Sequence, residues 1–254
     1  MNVLVTGATG ALGRALVAKL LKDDRYKLWL FENNTKIPSG NYIVVNANSI
    51  HNFSGVIYDL VIHAAVKYDR HNLNLNSTLR ANYFLIRNIC ESLNVKRLIN
   101  FDSYYSLNYS INSSYYNYIL SKRMLRNYLI QCNDKAITVF LPFIIDCNIV
   151  SESKLLSRVT RTLKTQEDFV LQKGYDVHPY IEMEQIVKCV VDSLATVTSL
   201  SGNYELYKST DTLLGIVRLY AKKTRLKTEK IKSVKHNPSV YRSGIYENLF
   251  EKKL

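Results

Sequence analysis

The chain of 254 residues has only four cysteines, Cys90, Cys132, Cys147 and Cys189, and no two of them form a C-x-x-C pair. That spacing excludes a disulfide scaffold and offers no zinc motif. Isolated thiols of this kind are expected to be reduced and interior, as in a cytosolic protein. No apolar run approaches the ~18 residues needed to cross a bilayer. No basic start with a small-residue cleavage site precedes the first apolar stretch, so no signal peptide is expected and a cytoplasmic location is. Internal repeats, low-complexity tracts and Gly/Pro-rich linkers are absent as well. What remains is the composition of an ordinary globule, 47% apolar and 22% charged. Its length suits one large domain or a domain with a smaller lobe.

The net charge is +13, and the last 33 residues, from Lys222, hold ten Lys or Arg against three Glu. Three readings of this basic tail stay open. It could suit a diphosphate-bearing small substrate, or reflect compositional drift towards Lys, Asn and Tyr. A nucleic-acid contact comes last, because no recognition motif accompanies the charge.

Glycine is scarce, nine in all, yet three stand in the first thirteen residues, as Gly7-x-x-Gly10-x-x-Gly13. Val3, Leu4 and Val5 before them read as a buried parallel strand, and Ala11 to Leu21 after them carries apolar residues at helical spacing. Strand, glycine turn and helix in that order suit a dinucleotide pyrophosphate. Gly7 permits the turn, Gly10 the approach of backbone to phosphate, and Gly13 the close packing of helix on strand. Free N–H groups at the helix start then face the anion.

A second strand, Tyr26 to Phe31, ends at Glu32, nineteen residues after Gly13. An acid at that distance is placed to accept hydrogen bonds from the adenosine ribose. Its charge disfavours the extra phosphate of NADP, so NAD is expected, while Arg14 and Lys36 lie near enough to keep NADP open. Strands at 42–45 and 58–62 come after it, the latter running into His63-Ala64-Ala65, small residues against which a cofactor can lie. His63 reads as a satisfied packing histidine. A helix over 78–93, a strand over 97–101 ending in Asp102-Ser103, and a helix with Tyr118-x-x-x-Lys122 come next. Residues at i and i+4 share a helical face, so the ammonium is expected to lower the phenol's pKa. A sixth strand, 136–141, ends at Pro142-Phe143. Helices near 152–163, 182–194 and 212–221 and a strand at 203–207 complete the chain. Six strands alternating with helices predict an α/β fold, a doubly wound parallel sheet of Rossmann type. The expected division is a dinucleotide-binding domain over 1–149, rejoined around 176–200, and a small substrate lobe over 150–254.

These motifs together resemble the extended short-chain dehydrogenase/reductases, in the nucleotide-sugar epimerase and reductase branch. The matching pieces are Thr6-Gly-Ala-Thr-Gly-Ala-Leu-Gly13, Asp59 to Ala65, Asn82, Val95 to Ser103, Tyr118 to Lys122, Pro142-Phe143 and Tyr180 to Val187. The resemblance implies Tyr118 as general acid/base, Ser103 on the substrate oxygen, and Lys122 on the nicotinamide ribose. It implies cofactor contacts from Gly7, Thr9, Gly10, Ala11, Leu12, Gly13, Glu32, Asn48, Ala64, Ala65, Lys67, Tyr118, Lys122 and Phe143, no metal, and a homodimer. Departures from the family's pattern stand at Asn46 or Asn48, where an aspartate is usual, and at Asp102, where a small residue is usual. Leu141 and Ile144 replace the Arg and Asn that flank the Pro-Phe position, and His178-Pro179 an Arg-Asp pair. Tyr104-Tyr105 stand where dehydratases carry acids, which argues against a 4,6-dehydratase. The expected activity is reduction or epimerisation of a keto or hydroxyl carbon on a nucleotide-linked sugar, and the short lobe leans towards a 4-ketoreductase. The rival is a non-catalytic nicotinamide-nucleotide sensor or scaffold.

Overall fold

The computed structural model describes residues 1–32, 36–69, 71–107, 113–131, 135–147, 155–194, 200–235 and 247–248. Two compact units share the chain. One comprises 1–140 with 187–204, and the other 141–186 with 205–253.

The first unit begins with β1 (Asn2–Thr6), α1 (Ala11–Leu20), β2 (Lys27–Glu32), β3 (Ile43–Asn46), β4 (Ile57–Tyr58) and β5 (Leu60–His63). It continues through α2 (Leu75–Leu79), an i→i+5 turn over Arg80–Phe84, α3 (Leu85–Ser92), β6 (Asn94–Val95), β7 (Leu98–Ser103), α4 (Tyr116–Gln131) and β8 (Ala136–Leu141). Then come β9 (Phe143–Ile145), α5 (Leu155–Lys164), β10 (Phe169–Leu171), β11 (Val177–Glu182), α6 (Met183–Asp192), β12 (Gly202–Glu205), β13 (Ser209–Thr212), α7 (Leu213–Lys223) and β14 (Ile231–Ser233).

Seven strands form the parallel sheet of the first unit, in the order β12-β8-β7-β5-β1-β2-β3, flanked by helices. The predicted doubly wound α/β sheet is therefore present. It has one strand more than the six that the alternation counts, because β12 joins it from beyond residue 200. β1, β5, β7 and β8 are buried along nearly their whole length. A parallel sheet covered on both faces buries every residue, so its strands read as unbroken apolar runs. Leu4, Val61, Leu98, Ile86, Ile89 and Leu125 close one core of this unit. Each fully buried aliphatic side chain there contributes roughly 1.5–3 kcal/mol.

In the second unit, β11 pairs in parallel with β9 and antiparallel with β13, and β10 pairs in parallel with β14. Its own core joins Leu156, Val159 and Leu163 of α5 to Ile216, Val217 and Tyr220 of α7. The end of the basic tail lies largely outside the described residues. Cysteine placement corrects the expectation of interior thiols. Cys147 is exposed and Cys90 and Cys189 half-buried, and Cys132 lies outside the described residues. Among the described residues no helix is long and apolar enough to cross a membrane, and no cluster of metal-ligating side chains forms.

Candidate active site

The glycine loop is built as its spacing predicts. Gly7 has φ +71°, and a Cβ there would stand 2.4 Å from the amide nitrogen of Ala65. The turn after β1 and the small residues after β5 are thus in backbone contact. A Cβ on Gly13 would come within 2.1 Å of the Gly7 carbonyl oxygen, so α1 rests directly on the turn. The Gly10 N–H donates to the Gly7 carbonyl at 2.9 Å, and α1 starts there with no side-chain cap and no acid in its first turn. Its leading N–H groups are therefore presented to an incoming anion. Thr9 and Gly10 are exposed, and Ala11, Leu12, Ala64 and Ala65 half-buried.

Glu32 closes the end of β2. Its carboxylate accepts from the Ile37 N–H at 2.8 Å and from the Asn46 amide at 3.3 Å. Asn46 in turn accepts from the Asn48 N–H at 2.9 Å. Beside this corner lies a cavity of about 840 Å³ whose lining includes Phe31, Ala47, Ile50, Lys67, Arg80 and Ala81. Of these, sequence reading names Lys67 alone as a site residue. Asn82, fully buried in the i→i+5 turn, fixes it: the amide accepts from the Lys67 N–H at 2.7 Å and donates to the Lys67 carbonyl and to Ser121 Oγ.

The predicted triad is assembled at the carboxyl end of β7. Tyr118, Lys122 and Arg126 recur every four residues along one face of α4, and three consecutive residues of β7 answer them. Lys122 Nζ donates to the Phe101 carbonyl at 2.8 Å, Arg126 pairs with the Asp102 carboxylate at 3.2 Å, and the Tyr118 phenol hydrogen-bonds with Ser103. Both Tyr118 and Lys122 are only 2% exposed. Phe143 belongs to the second unit, in β9.

Two expectations about charge are corrected. Tyr118 is not lowered towards neutrality. Burial pushes its pKa well above that of an ordinary phenol, with the nearby Tyr68 and Asp102 acting in the same direction. Burial also depresses the Lys122 ammonium, partly countered by Asp102. His63 is only half satisfied. Nδ1 shares a 2.8 Å hydrogen bond with Thr6 Oγ1, but Nε2 has no partner among the described residues. Burial, and then the charge of Lys122, hold the ring neutral. With Asn100, its register partner on β7, and Thr138 on β8, it continues a buried polar line across the sheet.

Tyr68 is a residue that sequence reading missed. Its ring lies 4.7 Å from that of Tyr118, the two hydroxyls are hydrogen-bonded, and yet it is 54% exposed. The residues adjoining the two tyrosines are tied together, since Asn117 Nδ2 donates to Asp69 Oδ2 at 2.7 Å. Asp69 also accepts from the amides of Leu73 and Asn74. An exposed aromatic five residues past a strand end was the available signal, but in a chain with 19 tyrosines it does not stand out.

Residues 3–204 match the family model described as the NAD dependent epimerase/dehydratase family. The chain belongs to that family. No curated protein matches it in sequence. Among solved structures, a variant of UDP-glucuronic acid 4-epimerase from Bacillus cereus, in complex with UDP-4-deoxy-4-fluoro-glucuronic acid and NAD, has a TM-score of 0.74 at 13% identity. That match covers 99% of this chain and 91% of the other. The dTDP-glucose 4,6-dehydratase from Bacillus anthracis, in complex with NAD, gives 0.71 at 14% identity, over 96% and 88%. A hypothetical dTDP-4-dehydrorhamnose reductase from Sulfolobus tokodaii gives 0.70 at 17% identity, over 93% and 87%. Likeness at these identities shows the shared fold. With a 4-epimerase, a dehydratase and a reductase alike among these structures, it lends no support to the expected leaning towards a reductase.

Proposed function

We propose that this chain binds NAD and exchanges a hydride and a proton with a hydroxyl-bearing carbon of a nucleotide-linked sugar, as an epimerase or a reductase. The observation that carries the proposal is the hydrogen-bonded Ser103–Tyr118 pair at the carboxyl end of β7, with Lys122 one turn further along α4. The cofactor fits the residues present. Gly7 lies against the backbone of Ala65 with no room for a side chain, and α1 opens uncapped. The cavity at the ends of β2 and β3 leaves room for a nucleoside. When bound, the nicotinamide supplies the hydride acceptor or donor.

The protein's part is the proton. In the oxidising direction the sugar hydroxyl loses its proton to the Tyr118 oxygen as its carbon loses hydride, leaving a ketone. In the reducing direction Tyr118 returns a proton to the oxygen of the new alcohol. Ser103 hydrogen-bonds that oxygen and orients it. Lys122 holds the ribose. Substrate binding displaces the Tyr68 hydroxyl from Tyr118. An epimerase returns the hydride to the opposite face of the same ketone and keeps its cofactor, whereas a reductase releases it.

Replacing Tyr118 with Phe removes one oxygen and leaves the ring packing. Turnover on the true UDP- or dTDP-linked sugar should fall by about 10²–10⁴ with fold and NAD affinity kept. Wild-type turnover in this variant sinks the reading. A non-catalytic nicotinamide-nucleotide sensor is the second reading, favoured by the covering of Tyr118 by Tyr68. It predicts NAD binding with no turnover on any sugar nucleotide. Identifying the nucleotide that copurifies separates the two enzymatic arms, since retained NAD indicates an epimerase and an empty site a reductase.

A further inference from the structure

Tyr68 is an exposed side chain on a clamped backbone, held on both sides from within the fold. Before it, the buried Asn82 amide accepts from the Lys67 N–H at 2.7 Å and donates to the Lys67 carbonyl at 2.9 Å. After it, the buried Asp69 carboxylate accepts from Asn117 Nδ2 at 2.7 Å. The chain beyond is tied to the same stretch. The His71 N–H donates to the Ser114 carbonyl at 2.8 Å, and Asn72 Nδ2 to the Ser113 carbonyl at 2.9 Å. Asn72 Oδ1 accepts from the Asn117 N–H at 2.9 Å. Ordering a surface segment so fully costs conformational entropy, which calls for a use of the shape it keeps.

What the clamp fixes is an aromatic face. The Tyr68 ring centroid stands 4.7 Å from that of Tyr118, the two planes tilted by 31°. Tyr118 is 2% exposed and Tyr68 54%, so one ring of the pair is covered and the other open to solvent. The open ring adjoins the phenol at which the proton is exchanged, and the carbon that reacts there belongs to the sugar. We propose that Tyr68 is a specificity-determining residue for that sugar. Its open face is the wall on which the sugar ring lies, while a sugar hydroxyl replaces the Tyr68 hydroxyl on the Tyr118 oxygen. The inference rests on the function proposed above. The C–H groups on one side of a sugar ring are apolar and pack on an aromatic face, leaving the hydroxyls at the rim. A face fixed in advance spares the ordering that binding otherwise costs. Asn82 and Asn117 position this wall without touching the substrate.

The test is calorimetric binding to the full chain saturated with NADH, so that no hydride can leave the sugar. The probes are UDP-glucose, UDP-glucuronic acid and dTDP-glucose, each compared with its parent diphosphate, UDP or dTDP. Tyr68→Ala should weaken the sugar nucleotides by about tenfold, the scale of one lost aromatic contact, and leave UDP and dTDP unchanged. Tyr68→Phe keeps the face and should bind the sugar nucleotides at least as tightly as wild type does. If Tyr68→Ala loosens the fold, Tyr68→Leu, which keeps an apolar cover on Tyr118 without a flat face, must show the same selective loss. Equal losses for a sugar nucleotide and its diphosphate, or no loss for either, overturn the inference and leave Tyr68 as a cover alone. Failure of the wild type to bind any of the sugar nucleotides overturns the proposed function instead, so the two failures are distinguishable.

Discussion

The two units of this chain differ in where their ion pairs lie: the nearly buried pair, Arg126 with Asp102, belongs to the first. In the first, the polar groups sit inside: Thr6, His63, Asn100, Asp102 and Lys122 are all buried near the ends of parallel strands. In the second, Asp146, Asp176 and Glu205 are buried as well, while the ion pairs stay at the surface. Glu182 pairs with Lys223 and Lys208, and Asp168 with Lys230 and Lys232, all with side chains at least partly in solvent. The hydrophobic core of that unit is the contact of α5 with α7. Buried polar groups that contribute little to folding are what a site of proton and hydride chemistry needs, whereas screened surface pairs need no function to explain them.

The largest expected effect lies in the glycine loop. Gly13→Val should leave little folded protein, because even its Cβ collides with the Gly7 carbonyl. Soluble yield and circular dichroism check it, and a well-folded variant would mean that α1 shifts freely on the sheet. Ile216→Ala, in the core of the second unit, should lower stability by about 2–5 kcal/mol in denaturant unfolding. NAD affinity should be unchanged at low denaturant, since every cofactor contact proposed here except Phe143 belongs to the first unit. Coupled loss of NAD binding would break the contrast.

Tyr68→Phe tests the covered phenol. It keeps the ring stack and removes the hydroxyl bonded to that of Tyr118, so the Tyr118 pKa should fall and the base-dependent limb of oxidation should move to lower pH. An unmoved limb would make Tyr68 packing alone. Glu182→Gln should matter least, about 0.2–1 kcal/mol at neutral pH, as exposed pairs do. The Lys223 ammonium lowers the Glu182 pKa, so its contribution is present above the ordinary carboxylate range and disappears as pH falls through the folded value. Unfolding midpoints at neutral and acidic pH check the sign.

Legibility divides along the same line. The sheet strands of the first unit are mostly apolar and bounded by turns, so their positions could be read within one or two residues, whereas the two-residue β6 was not read. Tyr118 and Lys122 could be read because helical spacing puts them on one face. The second unit resisted. β13 reads Ser-Thr-Asp-Thr and has no apolar signal, and β10 and β14 are three residues each, joined across some sixty residues of chain. Within the site, Tyr68 and Arg126 escaped because nothing local marks them. Each matters through a contact with a residue more than twenty positions away, Arg126 with Asp102 and Tyr68 with Tyr118. Asp102 was visible as a departure from the family pattern, but its partner was not. The expected lowering of the Tyr118 pKa failed for a related reason. Helical spacing gives direction and says nothing of the water that burial takes away.

The staple at Asp69 has a kinetic consequence. Its carboxylate takes the amide protons of Leu73 and Asn74, and its bond to Asn117 anchors the segment to the start of α4. His71 and Asn72, both in the left-handed region, leave the segment no extended alternative without breaking those bonds. Although it runs over the surface, its amides should exchange with deuterated solvent only when the first turn of α4 opens. Residues 71–74 and 116–118 would then share one opening free energy, and the covering of Tyr118 would last as long as that turn stays closed.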